Sequence, residues 1–183
     1  MSDTGKTEEA RLEEARLEVA RAMAQTLDLY GYSPSTGMLY SHLYFSDEPM
    51  SLDELAEKLE VSKTTVCNSA RSMEERGMLD KSWKPGSRRD YYRAETDFFN
   101  NFINYFSSMW QREIDVNTKA IAKTELVFRE LAAGEDPDVS SKAKADLQKI
   151  EEARCYYRWL EKMVKALESG DIFKYIPVND NAT

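Results

Sequence analysis

The stretch Ser51–Ala94, SLDELAEKLEVSKTTVCNSARSMEERGMLDKSWKPGSRRDYYRA, contains two short helix patterns, a tight turn and a basic hairpin in uninterrupted succession. Ser51 stands three residues before Glu54, which is the capping-box spacing, so a helix is predicted to begin at Ser51. Ser62 is placed to cap a second helix, which Gly77 ends because glycine readily adopts the left-handed conformation found after helices. Together the two helices predict a helix-turn-helix.

A basic hairpin follows the second helix. The segments MLDKSWK and DYYRA predict two short strands, and PGSRR between them predicts a turn at Pro85–Gly86. Such a hairpin directly after a helix-turn-helix is typical of a wing. The sequence therefore predicts a mainly α fold: a winged helix-turn-helix with a small β-hairpin wing, joined to long dimerisation helices.

The second helix of this motif separates an apolar face from a polar one. Val66, Ala70 and Met73 recur at helical spacing and are predicted to pack inward. On the opposite face, Asn68 can make a bidentate contact to adenine, and Lys63 can meet phosphate or guanine. The basic residues beside the wing turn suit backbone or minor-groove contact. The predicted DNA-binding residues are Ser62, Lys63, Thr64, Cys67, Asn68, Arg71, Lys84, Arg88 and Arg89.

The winged-helix stretch concentrates positive charge in an acidic chain. Residues 62 to 93 contain eight Lys or Arg and four Asp or Glu, a local excess of +4, whereas the whole chain has a formal net charge of −8. An acidic protein repels DNA except where positive charge is concentrated, so DNA binding is the preferred interpretation. The alternative is a winged-helix adaptor that uses the same basic face to bind an acidic protein and does not recognise DNA directly.

Length and composition exclude several other classes. The 183 residues suit one or two small domains, and no apolar run approaches the roughly 18 residues that a membrane span needs. The charged N-terminus is unlike a signal peptide, so a cytoplasmic location is expected. The sequence has no glycine-rich phosphate loop, no GxSxG motif and no metal-binding His or Cys spacing, so no enzyme, cofactor or metal site is predicted. For Cys67, a redox role and an incidental small residue both remain open.

Long helical patterns flank the winged helix. One runs from about Glu9 to Tyr30, and two others run over about 96–131 and about 140–168. Leu160 and Val164 belong to a heptad-like apolar stripe of the last helix, which we expect to pair with a second copy of the chain; the alternative is a core stripe within one chain. The predicted domains are 9–95, the DNA-binding domain with its N-terminal helix, and 96–183, the helical linker and dimerisation region.

Three motifs carry a resemblance to a known family. They are LYFSDEP (Leu43–Pro49), VSK (Val61–Lys63) and the wing WKPGSRRDYY (Trp83–Tyr92). The chain resembles the GbsR branch of the MarR superfamily, which are winged-helix repressors associated with choline and glycine betaine metabolism and transport. The resemblance implies a homodimer that binds double-stranded operator DNA, represses osmolyte uptake or synthesis genes, and responds to an effector bound by aromatic side chains near the linker.

Aromatic residues cluster where the resemblance implies an effector site. A quaternary ammonium group has no hydrogen-bond donor, so a site for it is built from ring faces that contribute about 0.5–2 kcal/mol each when desolvated. The competing hypothesis is an aromatic core that joins the wing to the next helix. The predicted cage residues for choline or glycine betaine are Tyr44, Phe45, Tyr92, Phe98, Phe99 and Phe102.

Overall fold

The chain divides into two compact units, Met1–Asn101 and Phe102–Thr183, in a computed structural model that describes residues 7–178. The first unit contains the winged helix. The second contains most of a long helix and the helix that follows it. Among residues 7–178, no helix has the length and apolar character needed to cross a membrane.

The helices of the first unit begin at side-chain caps. The Ser51 hydroxyl accepts a hydrogen bond from the Glu54 backbone N–H, and the Glu54 carboxylate accepts one from the Ser51 N–H at 2.6 Å, which confirms the capping box. Ser62 caps the second helix of the motif, and Gly77 after it has a φ of 65°, which confirms both predicted boundaries. The helices are α1 (Glu8–Leu29), α2 (Pro34–Tyr44), α3 (Leu52–Lys58) and α4 (Lys63–Glu74).

A three-stranded antiparallel sheet completes the first unit. Its strands are β1 (Met50–Ser51), β2 (Leu79–Ser82) and β3 (Tyr91–Ala94), in the order β1-β3-β2. Strands β2 and β3 form the predicted wing hairpin. Strand β1 was not predicted, because two residues are too few to show a period. The mainly α winged helix-turn-helix fold is confirmed.

The core of the first unit lies between α2, α3, α4 and the sheet. Its fully buried side chains come from each of these elements and include Leu39, Leu55, Met73 and Leu79. Helices α1 and α2 pack closely at Gly37, where a Cβ atom would approach the Ala24 Cα to 2.8 Å. The inward face predicted for α4 is confirmed, and the residues that form it are Val66, Ala70 and Met73.

The second unit is built from two long helices joined by a short turn. They are α5 (Phe98–Ala132), which begins in the first unit, and α6 (Pro137–Glu168), which Asp136 caps; the short α7 (Ile172–Tyr175) follows. Ser140 donates a hydrogen bond to the Ala132 carbonyl oxygen at 2.6 Å, and Arg154 forms an ion pair with Glu125. Because later residues of α6 contact earlier residues of α5, the two helices are antiparallel.

The apolar stripe of α6 packs inside its own chain. Leu160 and Val164 are buried against Ile114 of α5, and Trp110 and Tyr157 cover the edge of this cluster. The expectation that this stripe pairs with a second copy is therefore wrong, and the alternative of a core within one chain is confirmed. Heptad-like spacing indicates that the stripe packs against an apolar surface, but it does not show whether that surface belongs to the same chain or to another. Here the surface is α5, which the short turn brings beside α6.

Candidate nucleic-acid interface

The N-terminal half of α4 presents a polar surface to solvent. The hydroxyl of Ser62 caps the helix through the Thr65 N–H at 3.1 Å, so this end of the helix is fixed. Arg71, further along the same face, is held in an exposed ion pair with Glu75 at 3.1 Å. The residues predicted to bind DNA from this helix are all exposed: Ser62, Lys63, Thr64, Cys67, Asn68 and Arg71.

Side-chain contacts from the opposite face hold α4 in place. Its buried Ser69 shares a hydrogen bond of 2.8 Å with Thr36 of α2. Just past the end of α4, the Arg76 guanidinium lies 5.1 Å from the centre of the Tyr32 ring and donates to the Ser72 hydroxyl at 2.6 Å. Helix α4, which we call the recognition helix because it is the one predicted to contact DNA bases, is thus held to the core by polar contacts as well as by its apolar face.

The wing carries its cations at the hairpin turn. Lys84 lies 4.8 Å from the centre of the Tyr91 ring and 3.8 Å from a Glu48 carboxylate oxygen, whereas Arg88 is exposed. Trp83 at the base of the turn is 72% exposed and was not predicted as a functional residue. With Arg88 and Arg89 it lines a cavity of about 490 Å³.

One carboxylate joins the wing to the recognition helix. Asp53, in the first turn of α3, lies 2.7 Å from the Lys63 ammonium and 3.5 Å from the Arg89 guanidinium. The hydrogen bond from Lys63 is the main cause that holds the pKa of Asp53 below its usual value, and Arg89 adds to it. The role of Asp53 is not apparent from the sequence, because its partners lie 10 and 36 positions away along the chain.

A buried hydrogen-bond network anchors the start of α5. The Tyr40 hydroxyl donates to the Glu95 carbonyl oxygen at 2.7 Å and accepts from the Asn101 amide at 2.8 Å. Asn101 also donates to the same carbonyl at 3.0 Å. Burial is the main cause that raises the pKa of Tyr40 above its ordinary value, so this hydroxyl stays protonated and keeps its donor role.

Three of the predicted cage rings lie together in the first unit. The Tyr44 ring centre is 5.1 Å from that of Phe45, edge to face, and 5.4 Å from that of Phe98. Tyr40 approaches Tyr44 from the core at 6.1 Å. The Phe98 side chain is 55% exposed, so this group has an open aromatic face. Phe99, the next residue of α5, is also exposed.

The other predicted cage residues are placed differently. Tyr92 is only 5% exposed and sits in β3 between Met50 and Lys81, so its ring is not available to a ligand. We therefore remove Tyr92 from the ligand hypothesis; closeness in sequence did not reveal that its side chain faces the core. Phe102 belongs to the second unit, where its ring contacts that of Phe106 at 4.8 Å.

A separate groove lies between α1 and the end of α2. Its volume is about 730 Å³, and it is lined by Phe45, His42, Asp47, Lys58 and acidic residues of α1. The His42 Nε2 atom is buried without a hydrogen-bond partner, and burial lowers the pKa of this imidazole. Within residues 7–178, no group of three His, Cys, Asp or Glu side chains is arranged to hold a metal ion.

The chain matches two protein families, one over the winged helix and one over the long helices, so the matches follow the two units of the structure. Residues 98–174 match the family described as "GbsR family transcriptional regulator, C-terminal helical hairpin". Residues 45–91 match the MarR family. The first match covers the whole of the α5–α6 hairpin, and the second covers the helix-turn-helix and most of the wing.

Two curated proteins of Bacillus subtilis (strain 168) are similar over most of the chain. The HTH-type transcriptional repressor GbsR is 35% identical over 159 residues, which are 86% of this chain and 88% of that protein. The HTH-type transcriptional repressor OpcR is 27% identical over 164 residues, 85% of each chain. A crystal structure described as that of a transcriptional regulator has a TM-score of 0.61 at 19% identity, covers 86% of this chain and 98% of its own, and supports the fold alone.

Proposed function

The chain belongs to the GbsR family of MarR-type transcriptional regulators, and from this membership we propose how it binds DNA, assembles and receives a signal. It is a DNA-binding regulator and not an enzyme. Like the two repressors to which it is similar, it represses its target genes, and we expect it to act in the cytoplasm.

The operator is bound by α4 and the wing as one continuous basic surface. The observation that carries this proposal is the shared carboxylate: Lys63 and Arg89 both lie within 3.5 Å of Asp53, so the wing turn and the start of α4 are neighbours. A helix in the major groove then places Asn68 against base edges, while Lys63, Thr64 and Arg71 contact phosphate or base. The wing contributes Lys84, Arg88 and Arg89 to the backbone or minor groove.

Duplex binding tests this surface directly. The full chain is titrated against promoter fragments that flank its own gene and against random duplex, at several salt concentrations. Reversing both wing charges, Arg88→Glu with Arg89→Glu, is expected to weaken binding to every sequence and to flatten the salt dependence, because phosphate contacts release counterions. If the wild type binds no duplex at any salt concentration, the adaptor alternative gains.

Two copies of the chain assemble through the outer face of the α5–α6 hairpin. Val116, Val127 and Leu131 lie on one face of α5 and stay exposed within one chain, as do Tyr156 and Trp159 of α6. An exposed apolar surface of this extent is typical of a protein–protein interface. In a twofold dimer, the same patch of the second copy would bury it. Such a dimer also presents two recognition helices to half-sites about one helical turn apart, or a multiple of it.

The signal is a quaternary ammonium compound bound at the exposed aromatic group. The Tyr44 ring contacts those of Phe45 and Phe98, and Phe98 leaves an open aromatic face, which is the chemistry that choline or glycine betaine requires. The target genes are accordingly those of osmolyte uptake or synthesis. Phe98 is the first residue of α5, so a ligand on its ring contacts the helix that continues into the second unit. Binding can therefore shift the population of DNA-binding states.

Calorimetry with choline and with glycine betaine tests the effector. Micromolar to millimolar binding is expected for at least one of them, and operator affinity is expected to change when that ligand is present. Absence of heat with both compounds, together with unchanged operator affinity, would remove the osmolyte signal and leave a DNA-binding regulator.

A further inference from the structure

Asp53 places a negative charge within the proposed DNA-binding surface. Its carboxylate lies 2.7 Å from Lys63, at the first position of α4, and 3.5 Å from Arg89 of the wing turn. All three side chains are substantially exposed, so DNA can reach the place where they meet. Two of the nine side chains assigned to DNA are therefore already engaged with an anion of the same chain.

The carboxylate of Asp53 pairs with two cations that the proposed function assigns to DNA. Lys63, at the start of α4, is assigned to phosphate or guanine, and Arg89, on the wing, is assigned to the DNA backbone or the minor groove; phosphate is thus a partner open to both. A carboxylate accepts the same charge-assisted hydrogen bonds as a phosphate, so the two anions compete for these donors. When DNA arrives, the contacts with Asp53 are exchanged for contacts with phosphate, and Asp53 is left beside a like charge.

We propose that Asp53 is an affinity-setting residue, which competes with DNA phosphate for Lys63 and Arg89 and so lowers the affinity for every duplex by a similar factor. This inference rests on the proposed function of the α4 and wing surface. Within residues 7–178, the ion-pair partners of Asp53 are Lys63 and Arg89 and do not include Asn68, so sequence preference stays with Asn68 and its neighbours. An acidic side chain at this point limits the time that the protein spends on random DNA while keeping its choice of operator.

The test compares Asp53→Asn with the wild type on operator and random duplexes of equal length. The variant is expected to bind both about three- to tenfold more tightly at low salt, as the removal of one like charge near the phosphates implies. The slope of log affinity against log salt is expected to become steeper by about 0.9, since one more counterion is released. The ratio of operator to random affinity is expected to remain unchanged.

A matched control separates this effect from overall charge. Glu57→Gln changes the net charge by the same amount on the same helix, at an exposed position that forms no ion pair with the other residues of 7–178. It is expected to bind both duplexes as the wild type does. An equal gain from Glu57→Gln would overturn the proposal, because the gain would then come from net charge alone.

Two further variants guard against a change in folding. Asp53 lies in the first turn of α3, where acidic side chains favour the helix, so thermal unfolding of Asp53→Asn is measured beside binding. Asp53→Glu keeps the charge and is expected to bind as the wild type does, and Asp53→Ser, a residue also tolerated near helix starts, is expected to bind as tightly as Asp53→Asn. Affinity that is unchanged or weaker in Asp53→Asn and Asp53→Ser overturns the proposal, the weaker case indicating that Asp53 orients the two cations for DNA.

Retention on heparin distinguishes a failure of this inference from a failure of the proposed function. Heparin is a polyanion that reports on Lys63 and Arg89 without any operator. Asp53→Asn is expected to elute at higher salt than both the wild type and Glu57→Gln. If that holds while the wild type binds no duplex, the competition by Asp53 stands and DNA recognition is what fails. If the three proteins elute together, the competition itself is refuted.

Discussion

The two units of the chain bury their apolar residues to very different extents. The winged helix has a closed core to which α2, α3, α4 and the sheet all contribute, with Leu39, Leu55 and Leu79 essentially inaccessible. The hairpin of α5 and α6 has a small core around Ile114, Leu160 and Val164. Elsewhere the hairpin leaves large apolar side chains exposed, among them Val116, Leu126, Val127, Leu131, Tyr156 and Trp159.

This difference indicates that the winged helix is stabilised within one chain, whereas the exposed apolar face of the hairpin needs a second molecule to bury it. In the winged helix, the exposed residues of α4 are polar, so its surface suits an aqueous or polyanionic partner. In the hairpin, the exposed residues include aliphatic and aromatic side chains on outward faces, and such a surface suits another apolar surface. We infer that DNA recognition belongs to each chain by itself, whereas the hairpin requires the second copy.

The largest effect is expected from charges placed on the outer face of the hairpin. Val116→Asp with Val127→Asp puts unpaired carboxylates into the proposed dimer interface, and each unpaired buried charge costs about 3–5 kcal/mol. Ultracentrifugation is expected to find monomers that remain folded, because both positions are exposed within one chain. Ala122→Asp, at an exposed α5 position on a different face of the helix from Val116 and Val127, serves as the control. A stable dimer of the double variant would place the interface elsewhere.

The next effect concerns the small core within the hairpin. Leu160 is 2% exposed and contacts Ile114 and Val164, so Leu160→Ala is expected to destabilise the chain by about 2–5 kcal/mol in chemical unfolding. Val127 is 53% exposed, and Val127→Ala is expected to change the stability of the monomer by less than about 0.5 kcal/mol. If Leu160→Ala and Val127→Ala destabilised the monomer equally, the buried face and the exposed face of the hairpin would not differ in packing.

Local signals in the sequence were sufficient for the winged helix. The capping box at Ser51, the cap at Ser62 and the glycine after α4 act between residues close in sequence, so their spacing predicts where helices begin and end. The stripe on α6 was recognised, but its partner was not, because an apolar period is the same whether the cover comes from one chain or two. The predicted start of α6 was also late, since Asp136 and Pro137 begin it before the apolar pattern appears.

The candidate site could be predicted only in part from the sequence, for a related reason. The exposed face of α4 follows from helical periodicity, so its side chains could be named in advance. The ion pairs of Asp53 and the network of Tyr40 with Asn101 join residues distant in sequence, and no spacing rule predicts them. Tyr92 was misassigned because two adjacent tyrosines on a strand face opposite sides, and the sequence did not decide which side was buried.

A smaller effect is expected from the base-recognition residue. Asn68→Ala removes a bidentate contact to a base and should cost about 1–3 kcal/mol at the operator, with much less change on random duplex. Fluorescence anisotropy with both duplexes measures the difference. Asn68 is exposed, so the unfolding temperature should not fall. Equal losses on the two duplexes would show that Asn68 positions the protein on the backbone and does not read sequence.

A still smaller effect is expected from removing one ring of the aromatic group formed by Tyr44, Phe45 and Phe98. Phe98→Ala removes one ring face and is expected to reduce binding of choline or glycine betaine by about 0.5–2 kcal/mol in calorimetry. Operator affinity without ligand and thermal stability should change little, since the ring is more than half exposed. Trp83→Ala removes another exposed ring outside the group and should leave ligand binding unchanged. A joint fall of stability and operator affinity in Phe98→Ala would identify a structural ring, not a binding one.

The smallest expected effect is a pH dependence within the hairpin. Hydrogen bonds from Arg154 and then from Arg129 lower the pKa of Glu125 from 4.5 to about 2, and the Arg154 contact links α6 to α5. A depressed pKa means that the unfolded chain binds the proton first, so this contribution is complete above about pH 4.5 and is lost as the pH falls through about 2.

Glu125→Gln removes the titrating carboxylate and keeps its size. The difference in unfolding temperature between the wild type and this variant should be constant near neutral pH and should shrink toward zero between about pH 4.5 and about pH 2. The effect is small because these charges are partly exposed to water and screened. Glu130→Gln, at an exposed position of the same helix, is measured beside it as the control for the loss of one carboxylate. If the Glu125→Gln difference is the same at all pH values, the ion pair does not hold the two helices together.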